Sequence, residues 1–310
     1  MAAPGNVLLL GEYAVTEPEA PGIALAVLPE VRATREAGGP PCIAGRMGAR
    51  SFTWTPAGCD SPLLAALVRQ CGAPAGTIEV DSSAFSGPHG KLGLGSSAAV
   101  AATVAALLLH REPPCAGDLE ADRRRVFRAA LTVHRSAQGG RGSGYDVAAS
   151  VWGGVVCFTG GHLPTVRRHR PAALPALCLV AGTAPLATPG AVARYDEWRR
   201  REPAQAGDFR RRSRDVVEQF AAATDEARCC AAIRTGGELI RWLGERIGVA
   251  VEPPDLHARL QRLRAHSWAA KPVGAGGELG IAAAPAGRKP PREPYVMPLA
   301  LSQEGLRWLT

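Results

Sequence analysis

The sequence predicts a mixed fold of helices and strands divided between two domains, and three observations predict it. A chain of 310 residues, 46% hydrophobic and 21% charged, is long enough to bury a sizeable core in one or two domains and too apolar to be disordered. Short apolar or alternating runs of strand length interleave with runs of helical period. Around 170–175 the chain turns Pro/Ala-rich before a new apolar run, the pattern of a domain boundary. With 36 glycines and 26 prolines it is loop-rich without being low-complexity.

The elements follow in order. Residues 6–10 form an apolar strand that closes on Gly11-Glu12-Tyr13, and 23–28 is a second apolar run after a Pro/Gly turn, so the opening reads as a hairpin-like β region. Residues 51–55 alternate as a strand, 62–71 have helical period and 77–80 suit another strand. Residues 96–110 form an Ala-rich helix, 119–135 another helix, and 151–159 a β-branched strand after a glycine-rich turn. The longest apolar run, 98–109, falls short of the ~18 residues of a membrane span and reads as a buried helix. The second half offers a strand at 177–182, helices near 190–200, 208–223, 224–247 and 254–266, a Gly-rich loop, a strand at 279–284 and a polar, Pro-rich loop at 286–294. No internal repeat is visible.

The formal charge is +8, from 36 Lys and Arg against 28 Asp and Glu, which favours an anionic partner. Only Lys91, Lys271 and Lys289 are lysines, so a lysine within a motif is informative. Arginine runs at 123–125, 167–170, 199–201 and 210–212 alternate with acids as solvated helix faces do, aromatics are 5% and no nucleic-acid motif is present, so no nucleic-acid partner is expected. Eight cysteines show no CxxC and no Cys/His pair at zinc spacing, and they read as reduced thiols. The N-terminus has no basic region and no small-residue cleavage site, which makes the cytoplasm the expected location.

Three motifs carry chemistry. The first, Lys91-Leu-Gly-Leu-Gly-Ser-Ser-Ala-Ala-Val100, sets glycines and hydroxyls before a long helix. Gly93 and Gly95 let backbone approach a ligand, Ser96 and Ser97 can bond phosphate or ligate Mg²⁺, and the helix start offers N–H groups and a positive dipole end. It lacks P-loop spacing, and on local sequence it also reads as an ordinary capped helix start. The second, Gln138-Gly-Gly-Arg-Gly-Ser-Gly-Tyr-Asp-Val-Ala-Ala-Ser150, places the carboxylate of Asp146 in a loop of small residues. There it can orient or deprotonate a hydroxyl, or simply cap the turn that follows. The third, Lys271-Pro-Val-Gly-Ala-Gly-Gly-Glu-Leu-Gly-Ile-Ala282, runs from a lysine through small residues into a strand, as a second phosphate-side loop or as a tight connection needing glycine for backbone angles.

Taken in order behind Gly11-Glu12-Tyr13-Ala14-Val15, these motifs resemble the GHMP kinases, the superfamily of galactokinase, homoserine kinase, mevalonate kinase and phosphomevalonate kinase. The resemblance runs from about residue 6 to 282, and Gly-Leu-Gly-Ser-Ser-Ala-Ala is its most recognisable part. Asp81-Ser-Ser-Ala-Phe85, Lys91 and His134-Arg-Ser-Ala-Gln-Gly look most like phosphomevalonate kinases. Mevalonate kinases usually carry a Mg²⁺-binding Glu eleven residues before the catalytic Asp, where this chain has Arg135.

The resemblance implies an α+β fold, with an N-terminal domain (1–172) like the second domain of ribosomal protein S5 and a ferredoxin-like C-terminal domain (173–310). It implies transfer of phosphate from ATP with Mg²⁺ to a small phosphorylated acceptor, 5-phosphomevalonate, with mevalonate or another small alcohol as the alternative. Asp146 and Lys91 would be catalytic. Gly93, Leu94, Gly95, Ser96, Ser97, Ala98, Gly274, Ala275, Gly276 and Gly277 would bind nucleotide phosphates, with Mg²⁺ at Ser97. Glu12, Tyr13, His134, Gln138, Arg141, Ser143 and Lys271 would serve the substrate, Arg135 adding positive charge. Two departures stand out. Asn6 occupies the place of a frequent lysine in the first motif, and Gly274-Ala-Gly-Gly-Glu278 is one glycine shorter than the usual Gly-Ala-Gly-Gly-Gly-Asp. They leave a non-catalytic nucleotide-binding relative as the third reading.

The expectation of no nucleic-acid partner is checked by filter-binding titration with RNA and DNA at physiological salt, where half-saturation is expected only above ~1 µM.

Overall fold

The computed structural model describes residues 1–47, 50–87, 90–110, 119–137, 139–140, 142–183 and 188–309. The chain packs as two compact units that interleave in sequence, one of Met1–Val7, Leu25–Val156 and Leu301–Thr310, the other of Leu8–Ala24 and Cys157–Ala300. A family-domain limit at 172/173 remains our proposal, since compactness divides the chain elsewhere.

The chain opens with β1 (Ala2–Leu10) and β2 (Pro21–Ala37), which pair. In unit 1 there follow β3 (Cys42–Met47), β4 (Arg50–Thr55), β5 (Gly58–Cys59), α1 (Pro62–Cys71) and β6 (Gly76–Asp81). The sheet order there is β2-β6-β3-β4-β5, with β3 parallel to β6 and the other pairs antiparallel. The Ser61 hydroxyl accepts from the Leu64 amide and Pro62 occupies the first turn of α1, so both start signals agree. A two-residue ribbon, β7 (Ser86–Gly87) with β8 (Gly90–Lys91), leads into three helices, α2 (Ser96–Leu109), α3 (Leu119–Ala137) and α4 (Tyr145–Trp152).

Every residue of α2 from Ala98 to Leu107 is buried, as its lack of a polar face requires, and α2 packs against α1, α3 and α4. Its alanines let those neighbours come close. α3 carries Glu120 and Asp122 in its first turn and Arg135 in its last, charges that suit the helix dipole at both ends. Its buried face holds Val126, Phe127, Ala130, Leu131 and His134. The strand expected at 151–159 divides: Val151 and Trp152 are the buried last turn of α4, Gly153 (φ 73) and Gly154 (φ 65) turn the chain, and only β9 (Val155–Thr159) is extended. Burial against α2 and α3 overrides the β preference of Val151. The same helix takes Asp146 out of the expected loop and into a first turn.

The C-terminal segment returns to unit 1. Ala2 and Arg307 exchange backbone hydrogen bonds of 2.9 and 3.0 Å, and the Leu306 amide donates to the Val151 carbonyl at 3.1 Å. The Arg307 guanidinium donates to both carboxylate oxygens of Glu30, at 2.7 and 2.8 Å.

In unit 2, β10 (Thr165–His169) and β11 (Ala176–Ala181) precede α5 (Thr188–Arg201), α6 (Pro203–Ala221), α7 (Glu226–Ile247) and α8 (Pro254–Ala265), and β12 (Ala269–Pro272), β13 (Leu279–Ala284) and β14 (Val296–Pro298) close the sequence. The antiparallel order β12-β13-β11-β14 makes a four-stranded sheet with α7 and α8 packed on it. Leu256, Leu260, Leu263, Trp268 and Val180 fill one core, and Tyr13, Tyr195, Trp198, Phe209 and Leu243 fill another among α5, α6 and α7. α7 begins at Asp225, whose carboxylate accepts from the Arg228 amide, and ends at Gly248 (φ 64), the expected start and stop chemistry.

Three of the arginine runs lie on helices and pair locally, Arg124 with Glu120, Arg199 with Asp196 and Arg211 with Asp208. The run at 167–170 instead enters strand β10. Cys42, Cys59, Cys71, Cys157, Cys178, Cys229 and Cys230 are unpaired, and Cys115 lies outside the described residues. No described helix is long and apolar enough to cross a membrane.

The Arg307 guanidinium holds the Glu30 carboxyl below its ordinary range. A lowered carboxylate contributes stability above its unfolded value, ~4.3, that is lost as pH falls through the folded value. Glu30→Gln is therefore expected to lower stability by about 1 kcal/mol at neutral pH. In scanning calorimetry the gap to the wild type narrows as pH falls below ~4.3 and through the lowered folded value.

Candidate active site

In unit 1 the first motif is a turn held by glycine and by the start of β1. Gly93 (φ 71) and Gly95 (φ 68) are left-handed, and the Asn6 amide nitrogen donates to the Leu94 carbonyl at 2.9 Å. A Cβ at Gly95 would lie 2.2 Å from the Asn6 side-chain nitrogen, so both conformation and space require glycine there. That nitrogen, Nδ2, donates to the Gly95 carbonyl at 3.3 Å and to Ser150 Oγ of α4 at 3.2 Å. Asn6 is a buried tie joining strand, loop and helix.

Past this turn α2 begins with Ser96, buried, and Ser97, half-buried. Ser97 Oγ lies 3.0 Å from His134 Nε2, and His134 Nδ1 lies 3.2 Å from Asp146 Oδ2. Asp146 Oδ1 accepts from the Val147 amide at 2.8 Å. One imidazole at the end of α3 therefore links the starts of α2 and α4. Next to it, Arg135 donates from Nε to the Gly142 carbonyl at 2.7 Å and from Nη2 to the Ser143 carbonyl at 2.9 Å. Burial lowers the pKa of this guanidinium, and the nearby Asp146 carboxylate opposes the shift. Gly144 (φ 91) then turns the chain into α4. Lys91 is exposed on β8, while Leu94 and Ala98 are buried. Gln138 and Arg141 lie outside the described residues.

Unit 2 carries other residues that the sequence singled out. Lys271 is fully buried and its ammonium donates to the Glu12 carboxylate and, at 2.9 Å, to the Leu9 carbonyl. Desolvation raises the Glu12 pKa, with Lys271 opposing it. Tyr13 (φ 62) donates its hydroxyl to the Ala275 carbonyl at 2.9 Å, so the turn after β1 is tied twice to the third motif. Within that motif Gly274, Gly276 and Gly277 have φ of 62, 91 and 81. A Cβ at Gly276 would sit 2.6 Å from Val251 Cα, so this glycine serves packing as well as angle. Glu278 is exposed.

Chemically, unit 1 presents a glycine-rich turn, a helix start, two hydroxyls and a carboxylate on adjoining helices, a set suited to holding phosphate oxygens and orienting an acceptor. With the α+β fold, this defines a phosphotransferase. Residues 63–154 match the model of the GHMP kinases N terminal domain. A phosphomevalonate kinase of Streptomyces sp. strain CL190 is 29% identical across 90% of this chain and 88% of its own length. One from Aspergillus fumigatus is 47% identical over 66 residues, so this chain spans 13% of that relative. Among solved structures, the Streptococcus pneumoniae phosphomevalonate kinase with phosphomevalonate and AMPPNP superposes with a TM-score of 0.70 at 16% identity over 91% of both chains. L. major mevalonate kinase with R-mevalonate gives 0.70 at 18% identity over 98% of this chain and 96% of its own. Residues 63–154 thus carry the pattern of a GHMP kinase N-terminal domain, and most of the chain is similar to a phosphomevalonate kinase.

Sequence reasoning missed Ser150 and the ties of Asn6. It also gave His134 to the substrate although both ring nitrogens meet protein groups. The signal was present in the spacing 127, 130, 134, which puts His134 on the buried face of α3.

Removing Lys271 leaves Glu12 buried without its partner, so Lys271→Met is expected to cost about 3–5 kcal/mol in urea unfolding at neutral pH. Glu12→Leu with Lys271→Met should recover much of that loss. The deficit of the single variant is expected to shrink as pH falls toward ~4.3, where protonation removes the buried charge.

Proposed function

We propose that the chain transfers the γ-phosphoryl group of Mg·ATP to the phosphate of 5-phosphomevalonate, giving ADP and 5-diphosphomevalonate. The observation that carries this reading is Arg135. Where mevalonate kinases usually place a Mg²⁺-binding Glu, this chain places a cation whose guanidinium is engaged by the carbonyls of Gly142 and Ser143. The site thus lacks that second carboxylate and gains positive charge beside Asp146, which suits an acceptor that is itself a phosphate. The Streptomyces relative supports the same acceptor.

In this reading an oxygen of the acceptor phosphate attacks the γ-phosphorus, the bond from that phosphorus to the β,γ-bridging oxygen breaks, and ADP leaves with the electron pair. A phosphate dianion needs little deprotonation, so Asp146 orients the acceptor more than it takes a proton. The backbone of Gly93, Leu94, Gly95, Ser96, Ser97 and Ala98 holds nucleotide phosphates, and Gly274, Ala275, Gly276 and Gly277 are assigned to phosphate by the family resemblance. Lys91, exposed on β8, neutralises phosphate charge. Ser143, Gln138 and Arg141 remain assigned to the acceptor. Glu12, Tyr13 and Lys271 act by fixing the turn after β1 and the third motif.

Among the described residues no three His, Cys, Asp or Glu side chains converge as a metal cage. One hydroxyl, Ser97, and one carboxylate, Asp146, would hold Mg²⁺ arriving with the nucleotide, and its charge would there offset that of the phosphates. The unpaired cysteines fit a cytoplasmic location.

ADP release is measured with Mg·ATP and, separately, 5-phosphomevalonate, mevalonate, homoserine and galactose. Turnover is expected with phosphomevalonate alone and is lost in Asp146→Asn. Lys91→Ala is expected to raise KM for the phosphorylated acceptor about tenfold. Turnover with another acceptor moves the substrate, and ATP binding without any turnover makes the chain a non-catalytic relative.

A further inference from the structure

His134 is buried, yet it sits in the last turn of a helix and both its ring nitrogens face functional groups of other helices. Nε2 is 3.0 Å from Ser97 Oγ on α2 and Nδ1 is 3.2 Å from Asp146 Oδ2 on α4. We propose that His134 is a positioning residue that sets the Ser97 hydroxyl and the Asp146 carboxylate together, one through each nitrogen. It replaces the substrate contact expected from sequence, because neither nitrogen is left for an acceptor.

The Asp146 carboxylate, 3.2 Å from Nδ1, can only accept, so the proposal places the ring proton on Nδ1. In the neutral ring Nε2 then holds a lone pair, and Ser97 donates its hydroxyl proton to it. The remaining lone pairs of Ser97 Oγ are thereby turned outward. A hydroxyl held this way is an acceptor, suited to a cation carried by phosphates rather than to a bare phosphate oxygen. On the other side, Asp146 is fixed by His134 at Oδ2 and by the Val147 amide at Oδ1, so its carboxylate plane is set before a substrate arrives. Arg135, one residue on, fixes the backbone that leads into the same helix. Two neighbouring side chains of α3 thus position α4, one by its carboxylate and one by its approach.

The catalytic part of the test rests on the kinase reading, and the spectroscopic part does not. Asn places its amide near Nδ1 and Gln reaches nearer to Nε2, so the two arms separate. His134→Asn, which keeps the Asp146 arm, is expected to raise KM for Mg·ATP about tenfold with kcat within about threefold of wild type. His134→Gln, which keeps the Ser97 arm, is expected to lower kcat about tenfold with that KM little changed. His134→Leu is expected to lose about 100-fold in kcat/KM. A folded His134→Leu with wild-type kcat and KM overturns the proposal. So does equal impairment of all three variants in step with their melting temperatures, the mark of a merely structural residue.

Long-range ¹H–¹⁵N spectra of the wild-type ring supply the readout that needs no turnover. Nδ1 protonated with Nε2 as acceptor is expected, whereas an Nε2–H tautomer or shifts averaged between the two overturns the assignment. Should wild type use a different acceptor, the proposed substrate fails, while the same variant ratios and nitrogen shifts still decide the role of His134.

Discussion

Three helices of unit 1 approach one another closely enough for side chains as short as serine and aspartate to meet a single imidazole, and the site in that unit depends on this approach. α2 makes it possible by presenting alanine to neighbours on several sides, with Ala98, Ala99, Ala101, Ala102, Ala105 and Ala106 all buried. Helix axes settle at a distance set by the side chains between them. Larger residues at those positions would push α3 or α4 outward, and an ångström is enough to break the 3.0 Å hydrogen bond between Ser97 and His134 and to part His134 from Asp146, 3.2 Å away. Small residues in the core thus act at the polar edge. Their contribution to function is spacing, since alanine itself offers only dispersion contacts and no chemistry.

Unit 2 solves a similar problem with charge. Glu12 and Lys271 are buried together, and burying two charges costs more than apolar packing of the same volume unless geometry and further hydrogen bonds compensate. The Leu9 carbonyl supplies one such bond to the ammonium. The arrangement fixes a turn in which Tyr13 is left-handed (φ 62), a conformation an aromatic residue does not hold without support. That support also comes from the Tyr13 hydroxyl, which reaches the Ala275 carbonyl. A polar pair that adds little to stability can still specify one conformation of a glycine-rich loop with few side chains of its own.

What could be read in the sequence divides by range. Helix α1 was legible to the residue, because Ser61 and Pro62 mark its start and its apolar period is strong. The glycine-serine turn before α2 was legible for the same local reasons, and it lies in the segment that matches the GHMP kinases N terminal domain. Contacts across long separations were not: Asn6 meets Ser150 across 144 positions, and Lys271 meets Leu9 across 262. Strand β12, Ala-Ala-Lys-Pro, has poor β propensity and is extended because β13 pairs with it and both are buried. Val151 failed in the opposite sense, a good strand former captured by a helix end. In each case tertiary packing outweighed a local preference of less than ~1 kcal/mol.

The departures from the family pattern look different once their geometry is known. At Asn6 a lysine is absent, yet the position still performs structural work, its amide bonding the Gly95 carbonyl and the Ser150 hydroxyl in a closed space. Geometry is kept there while charge is not. The shortened third motif closes through three left-handed glycines and a 2.9 Å bond from the Gly277 amide to the Val251 carbonyl, with Glu278 directed outward. The loss of one glycine is therefore absorbed by the neighbouring 249–251 segment of the same unit. Arg135 replaces an acid and at the same time props the backbone before α4. Since a residue of opposite charge holds the loop by its own hydrogen bonds to the Gly142 and Ser143 carbonyls, the change at this position is a rebuilt support for the backbone that leads into α4 rather than a decayed one.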